Sequence, residues 1–244
     1  MKKKKIVLSG LISLNIILLF AVFYIGYIKT PFFLNVGNKL GICSLPKNKR
    51  SDYWCINGWT NCLKKLNLTN QIVFFGNSIT RGSNFHESFP DKDICNLGYS
   101  GNTLDDLISR IEMVKAVHPE KIFIMGGING LRITPIDVFK EKYEALINNI
   151  HDSIPDAKIY VQSILPINPK MHAGKKLGKI NDKIISCNAI IKNIANMHGL
   201  TYIDLYNHYA EDGMLPENIT IDGIHLKPES YSLWAALIKP YIYE

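Results

Sequence analysis

The sequence predicts an α/β domain built on a parallel β-sheet covered on both faces. Three observations carry this expectation: five short apolar runs, helical periodicity between most of them, and turn-forming residues where the runs end. The runs are Ile72-Val73-Phe74-Phe75, Ile94-Cys95-Asn96-Leu97, Lys121-Ile122-Phe123-Ile124-Met125, the segment Lys158 to Gln162, and Thr201-Tyr202-Ile203. After the second run, Leu104, Leu107, Ile108 and Ile111 recur at helical spacing. Val138, Tyr143, Leu146, Ile147 and Ile150 do the same between Pro135 and His151. A longer pattern from Lys179 to His198 runs through Ile180, Ile184, Cys187, Ile191 and Ile194, and a closing helix is expected near Tyr231 to Ile238. Parallel strands linked by helices end on one edge of the sheet, so functional side chains are expected in the loops beyond their carboxyl ends.

The first residues follow a different rule. Lys2, Lys3, Lys4 and Lys5 precede an uncharged, mostly aliphatic and aromatic run from Ile6 to Ile28. As a helix that run rises roughly 34 Å, enough to cross a hydrocarbon layer of about 30 Å. A cleaved signal peptide has a shorter apolar region and small residues at the cut. Here the run ends Ala21-Val22-Phe23-Tyr24-Ile25-Gly26-Tyr27, so a retained anchor is expected, with cleavage as the alternative. The lysines belong on the cytoplasmic side, which places the remainder across the membrane. The expected division is 1–29 for cytoplasmic lysines and transmembrane signal anchor, 30–69 for a stalk and lead-in with a short helix around Gly58 to Leu66, and 70–244 for one α/β domain. The 244 residues suffice for one substantial core.

Four of the seven net positive charges lie in the leading lysines, which leaves an ordinary surface beyond them. No basic amphipathic stripe or aromatic-basic ladder follows, so nucleic acid is not an expected partner. Cys43, Cys55, Cys62, Cys95 and Cys187 match no zinc spacing. An oxidising compartment would permit one bridge among the first three, with free thiols as the alternative.

The chemistry-bearing residues sit where strands end. Phe75-Gly76-Asn77-Ser78-Ile79-Thr80 places Ser78 on a turn after the first strand, where a serine caps a helix or serves as a nucleophile. It lacks the second glycine of the G-x-S-x-G elbow. Near the other end stands Asp222-Gly223-Ile224-His225-Leu226-Lys227-Pro228. An Asp three residues before a His can bond one imidazole nitrogen if the backbone turns, leaving the other for a serine hydroxyl. Taken apart, Asp222 is also a turn former and His225 a surface histidine. Taken together with Ser78 they supply nucleophile, base and orienter.

Four blocks in this order resemble the SGNH, or GDSL-type, hydrolase family over roughly residues 70 to 240: Ile72-Val73-Phe74-Phe75-Gly76-Asn77-Ser78-Ile79-Thr80, Asn96-Leu97-Gly98-Tyr99-Ser100-Gly101, Gly126-Gly127-Ile128-Asn129, and Asp222-Gly223-Ile224-His225. The resemblance implies a three-layer α/β/α, flavodoxin-like domain that hydrolyses esters without a metal or organic cofactor. It implies a Ser78, His225, Asp222 triad and an oxyanion hole formed by the N–H groups of Ser78 and Gly98 with the side-chain amide of Asn129. Two positions depart from the family pattern: Asn77 stands where Asp is common, and Gly130 where Asp or Asn is frequent.

With the site facing outward, an O-acetylated carbohydrate is the leading substrate expectation, and the bilayer, through the N-terminal helix, the other partner. A lipid or lysophospholipid ester is the first alternative, motivated by Phe85, Phe89 and Leu131 near the site. Acyl transfer to a sugar and noncatalytic glycan binding are the others. The sequence does not set an oligomeric state.

Overall fold

The structure, a computed structural model, describes residues 51–69, 71–171 and 179–244. The expected anchor at 1–29, the first part of the stalk and Cys43 lie outside the described residues, as does the side chain of Cys55. No helix among the described residues is long and apolar enough to cross a membrane. Cys62, Cys95 and Cys187 are free thiols, so Cys62 takes no part in a local bridge.

Residues 55–244 form one compact unit around a five-stranded sheet: β1 (Gln71–Gly76), β2 (Ile94–Gly98), β3 (Pro119–Met125), β4 (Lys158–Gln162) and β5 (Thr201–Ile203). The order is β2-β1-β3-β4-β5 and every pairing is parallel. The chain therefore moves outward from β1 to β2, then crosses back to β3 on the other side. That reversal opens a crevice at the carboxyl ends of β1 and β3, the place where such sheets bind ligands.

Alternation along each strand sorts the core into two layers. Val73, Phe75, Ile122, Ile124, Ile159 and Val161 face one side. There they meet α4 (Leu104–Ser109), α5 (Ile111–Lys115), α6 (Ile136–Ser153) and α7 (Ile180–Met197). Ile72, Phe74, Phe123, Met125 and Tyr160 face the other. Their partners are α2 (Ser78–Arg81), α3 (Phe85–Ser88) and α9 (Tyr231–Tyr243). The second side is aromatic because register makes it so. Phe74, Phe123 and Tyr160 are paired neighbours across β1, β3 and β4, and their rings stack at 5.0 and 4.4 Å. Phe85 extends the row from Phe74 at 4.2 Å and receives Trp234 edge-on at 5.2 Å. Trp234 Nε1 donates to Gln162 Oε1 at 2.6 Å, which satisfies both buried groups.

Several boundaries differ from the sequence expectation, each for a local reason. The lead-in helix α1 covers Ser51–Leu66, longer than the Gly58–Leu66 segment expected. The helix expected from Leu104 to Ile111 breaks into α4 and α5 at Arg110, whose φ of −110° and ψ of 10° leave the helical region. On α6 the fully buried position is Phe139, with Val138 only partly covered. The last helix continues through Pro240 to Tyr243. Its end is secured by Lys121, whose ammonium donates to the carbonyls of Tyr241, Ile242 and Glu244, each at 3.0 Å. Cations suit a helix carboxyl end, which accounts for a lysine that is almost wholly buried at the start of β3. A short α8 (Tyr206–Tyr209) completes the set.

Phe123 lies at the centre of the aromatic row and is fully buried. Phe123→Ala is expected to lower unfolding free energy by about 3–5 kcal/mol, measured by denaturant unfolding of the folded protein.

Candidate active site

Three loops at the carboxyl edge build the site. The first follows β1. Asn77 is the N-cap of α2, its Oδ1 accepting from Ile79 N at 2.9 Å, and Ser78 is the first helical residue. Gly76 makes the turn possible, because a Cβ there would lie 2.1 Å from Thr80 Oγ1 and 2.4 Å from the Met125 carbonyl oxygen.

The second loop runs from Thr220 to Leu226, closed by the isolated Thr220–Leu226 bridge. The Ile221 N–H and the Thr220 hydroxyl both donate to the His225 carbonyl, at 2.9 and 2.7 Å, and Gly223 N donates to Thr220 Oγ1 at 2.9 Å. Gly223 has φ +86°, and its carbonyl accepts from Asn168 N at 2.7 Å. The fold thus tightens Asp222 and His225 against each other. His225 Nε2 lies 2.9 Å from Ser78 Oγ, and His225 Nδ1 lies 2.7 Å from Asp222 Oδ2. The sequence-predicted Ser78, His225 and Asp222 are therefore brought into one hydrogen-bonded chain, although Ser78 is 147 residues from His225.

Asp222 is braced as well as bonded. Its Oδ1 accepts from the N–H groups of His225 at 2.8 Å and Ile224 at 3.0 Å. Burial pushes this carboxyl up. The His225 N–H, the imidazole, the Ile224 N–H and the charge of His225 outweigh burial and hold it at about 2. The side chains of His225 and Asp222 remain 40% and 44% exposed, so the relay sits at the surface.

The third loop follows β3. Asn129 Nδ2 donates to the Asn102 carbonyl at 3.0 Å, which fixes the amide and leaves its second N–H unused among the described residues. Gly130, at φ +80°, makes the tight turn after it. A left-handed residue there is also accessible to Asn and Asp, so this departure from the family pattern preserves the turn.

Gly98 requires a correction. Its N–H is not available to a substrate, because it donates to Asn96 Oδ1 at 2.9 Å. Its glycine identity has a steric cause, since a Cβ would lie 2.2 Å from the backbone nitrogen of Arg81. Farther along the same loop Gly101, at φ +79°, has an N–H engaged by no described protein group, and the same holds for Ser78 N–H. Phe85, Phe89 and Leu131 also move: all three are buried in the core and line no substrate surface. Ile133 and Ile221 are large apolar side chains exposed on these loops, and Met171, in the segment after β4, is exposed beside Gly223. Among the described residues, no His, Cys, Asp and Glu side chains gather into a group able to hold a metal ion.

The GDSL-like Lipase/Acylhydrolase family matches residues 74–233, a span that contains all three loops. No curated protein matches the chain by sequence. Solved structures share its fold. A candidate platelet activating factor from Streptococcus pneumonia is 23% identical, aligned over 77% of this chain and 92% of its own, with a TM-score of 0.65. A GDSL-like lipase from Bacteroides thetaiotaomicron is 24% identical over 77% and 97%, with a TM-score of 0.62. A candidate acylhydrolase from Bacteroides fragilis is 22% identical over 77% and 95%, with a TM-score of 0.63.

Two substitutions test the loop geometry. Asp222→Asn is expected to reduce kcat by a factor approaching 10⁴, as in the serine-protease triad, because an amide cannot hold the tautomer or stabilise the imidazolium. Since the folded-state pKa lies below the ordinary aspartate value of 3.8, the Asp222 anion and the stability it confers persist above that pH and are lost as pH falls towards about 2. The deficit should therefore be present at every pH from about 4 upward, which a kcat-against-pH profile reads directly. Gly223→Ala forces an L side chain into positive φ with its Cβ 2.6 Å from the Asn168 carbonyl oxygen. A destabilisation of about 1–3 kcal/mol together with lost turnover is expected, from thermal unfolding and ester hydrolysis measured on one preparation.

Proposed function

The chain belongs to the GDSL-like lipase/acylhydrolase family and is an ester hydrolase, and we propose that it removes short acyl groups, chiefly acetyl, from a carbohydrate outside the cytoplasm. The observation that carries the hydrolytic reading is the continuous chain Ser78 Oγ, His225, Asp222. His225 Nε2 takes the Ser78 proton as the hydroxyl oxygen attacks the ester carbonyl, while Asp222 stabilises the imidazolium. The oxyanion is received by the N–H groups of Ser78 and Gly101 and by the Asn129 amide. Loss of one such donor costs about 3 kcal/mol of transition-state stabilisation. The imidazolium then protonates the departing alcohol, and water, deprotonated by His225, releases the acid and restores Ser78.

Support for a glycan comes from two sides. The half-exposed relay admits an ester carried on a bulky polymer. The Lys2–Lys5 cluster and the apolar run beyond it would anchor the enzyme with its site facing cell-surface material. A second reading, hydrolysis of a lipid ester, is favoured by the exposed Ile133, Met171 and Ile221. Met171 packs beside Gly223, where a glycine Cβ would meet its own Cβ at 3.1 Å.

The deciding measurement compares kcat/KM for acetylated oligosaccharides with that for acyl esters of about two to twelve carbons, using the full-length protein and Ser78→Ala as blank. Each methylene buried in an acyl groove contributes about 0.8 kcal/mol. Acetate release from sugar, with rates falling as the chain lengthens, is the expected result. Rates rising with chain length and untouched sugar acetates would replace the glycan with a lipid, and acetyl found on an added sugar acceptor would mean transfer. For the anchor, protease added outside sealed cells is expected to digest the catalytic domain and leave the amino terminus protected. A soluble extracytoplasmic form beginning after about Tyr27 would overturn it.

A further inference from the structure

We infer that Arg110 is a positioning residue that holds the oxyanion-binding groups in register, acting on the reaction without touching the substrate. This inference rests on the ester-hydrolase reading and adds to it a residue outside the triad and the donor set.

Arg110 is 1% exposed, which is unusual for a cation that makes no salt bridge among the described residues. Its acceptors are neutral. Nε donates to Asn102 Oδ1 at 2.7 Å, one terminal nitrogen to the Leu97 carbonyl at 3.1 Å, and the other to the Gly76 carbonyl at 3.2 Å. The guanidinium also lies over the rings of Tyr99 and Phe75, at 4.3 and 4.9 Å from their centroids. Burial pushes its pKa down to about 10, with Tyr99 and Asp106 acting in the opposite direction, so it remains charged at neutral pH.

What these acceptors have in common is their place in the chain. Gly76 is the last residue of β1, two before Ser78. Leu97 and Asn102 bracket the β2–α4 loop that carries Gly101, and Tyr99 lies inside it. The Asn102 carbonyl receives the Asn129 amide. One planar group therefore grips the segments that present the N–H of Ser78, the N–H of Gly101 and the side chain of Asn129. A lysine offers a point charge and cannot form the same fork. The break between α4 and α5 at Arg110 has the same origin, because it lets this side chain turn inward beneath the loop.

The experiment uses full-length protein and a short ester such as p-nitrophenyl acetate. Hydrolysis by the wild type that is abolished in Ser78→Ala tests the underlying reading; the Arg110 variants then test this one. Arg110→Met and Arg110→Lys are expected to lose about 100-fold in kcat, the scale of one misplaced oxyanion donor, with KM changed less than about threefold. Affinity for a boronic acid, whose tetrahedral adduct with Ser78 carries the oxyanion charge, is expected to fall in parallel with kcat. A merely structural arginine would lower the melting temperature and leave boronate affinity per folded molecule unchanged, and that outcome overturns the inference. Should both Arg110 variants fail to fold, Asn102→Ala decides: it removes the Nε acceptor but keeps the backbone carbonyl that receives Asn129. A loss of about tenfold in both kcat and boronate affinity supports the inference; wild-type values for both refute it.

Discussion

The site depends on the parallel pairing of β1 with both of its neighbours, continuous in register from Ile72 to Gly76. Gly76 is opposite Gly98 on one side and Met125 on the other, so three strand ends are level where β1 stops. Because the chain goes out to β2 before returning to β3, the loops after β1 and β3 leave the sheet on either side of the crevice. Ser78 and Asn129 then follow the carboxyl ends of neighbouring strands. A slip of one residue in β1 would turn Phe74 out of the aromatic layer and into the opposite layer of the core. The stacked row of Phe74, Phe123 and Tyr160 makes that slip costly, and so ties the position of the nucleophile to the packing of the core.

The second requirement is local. An aspartate and a histidine three residues apart can meet only if the backbone reverses between them, and the hydrogen bonds within and onto the Thr220–His225 segment enforce that reversal. Half-exposed, the pair still keeps its carboxylate ionised, because two backbone N–H groups and the imidazole outweigh the desolvation of Asp222. Exposure therefore does not disable the relay. Its strength resides in preformed hydrogen bonds, and these require no closed, water-free cavity to remain in place.

Much of this was readable from the chain. The strands announced themselves as apolar runs, α7 as a five-point periodicity, and the Asp222–His225 pair as a fixed spacing around a glycine. Long-range information was harder to extract. Gly98 and Gly101 look equivalent in Gly98-Tyr99-Ser100-Gly101, and only the side chain of Asn96, folded back onto Gly98 N–H, separates a structural glycine from one with a free donor. Arg110 carried no sequence signal beyond its place in an apparently continuous helix, since its acceptors lie 8, 13 and 34 residues away. Phe85 and Phe89 were apolar residues close to Ser78 in sequence, but α3 turns them under α9 and into the core. Lys121 read as a charged strand boundary because the helix carbonyls it satisfies come about 120 residues later.

The departure at Asn77 follows from the same physics. Its side chain is fully buried, and its Oδ1 already performs the capping that an aspartate would perform there. The change to an amide leaves Nδ2 buried without a partner among the described residues, a penalty of about 1–3 kcal/mol for a neutral donor. An ionised aspartate would satisfy the cap more strongly, but it would also set a permanent negative charge next to Ser78, where an oxyanion must form. Asparagine keeps the turn and leaves the developing charge to face only donors. The reaction class is thus insulated from this substitution: the side chain that changed supports the nucleophile's backbone, while the base and its orienter, His225 and Asp222, lie on another loop.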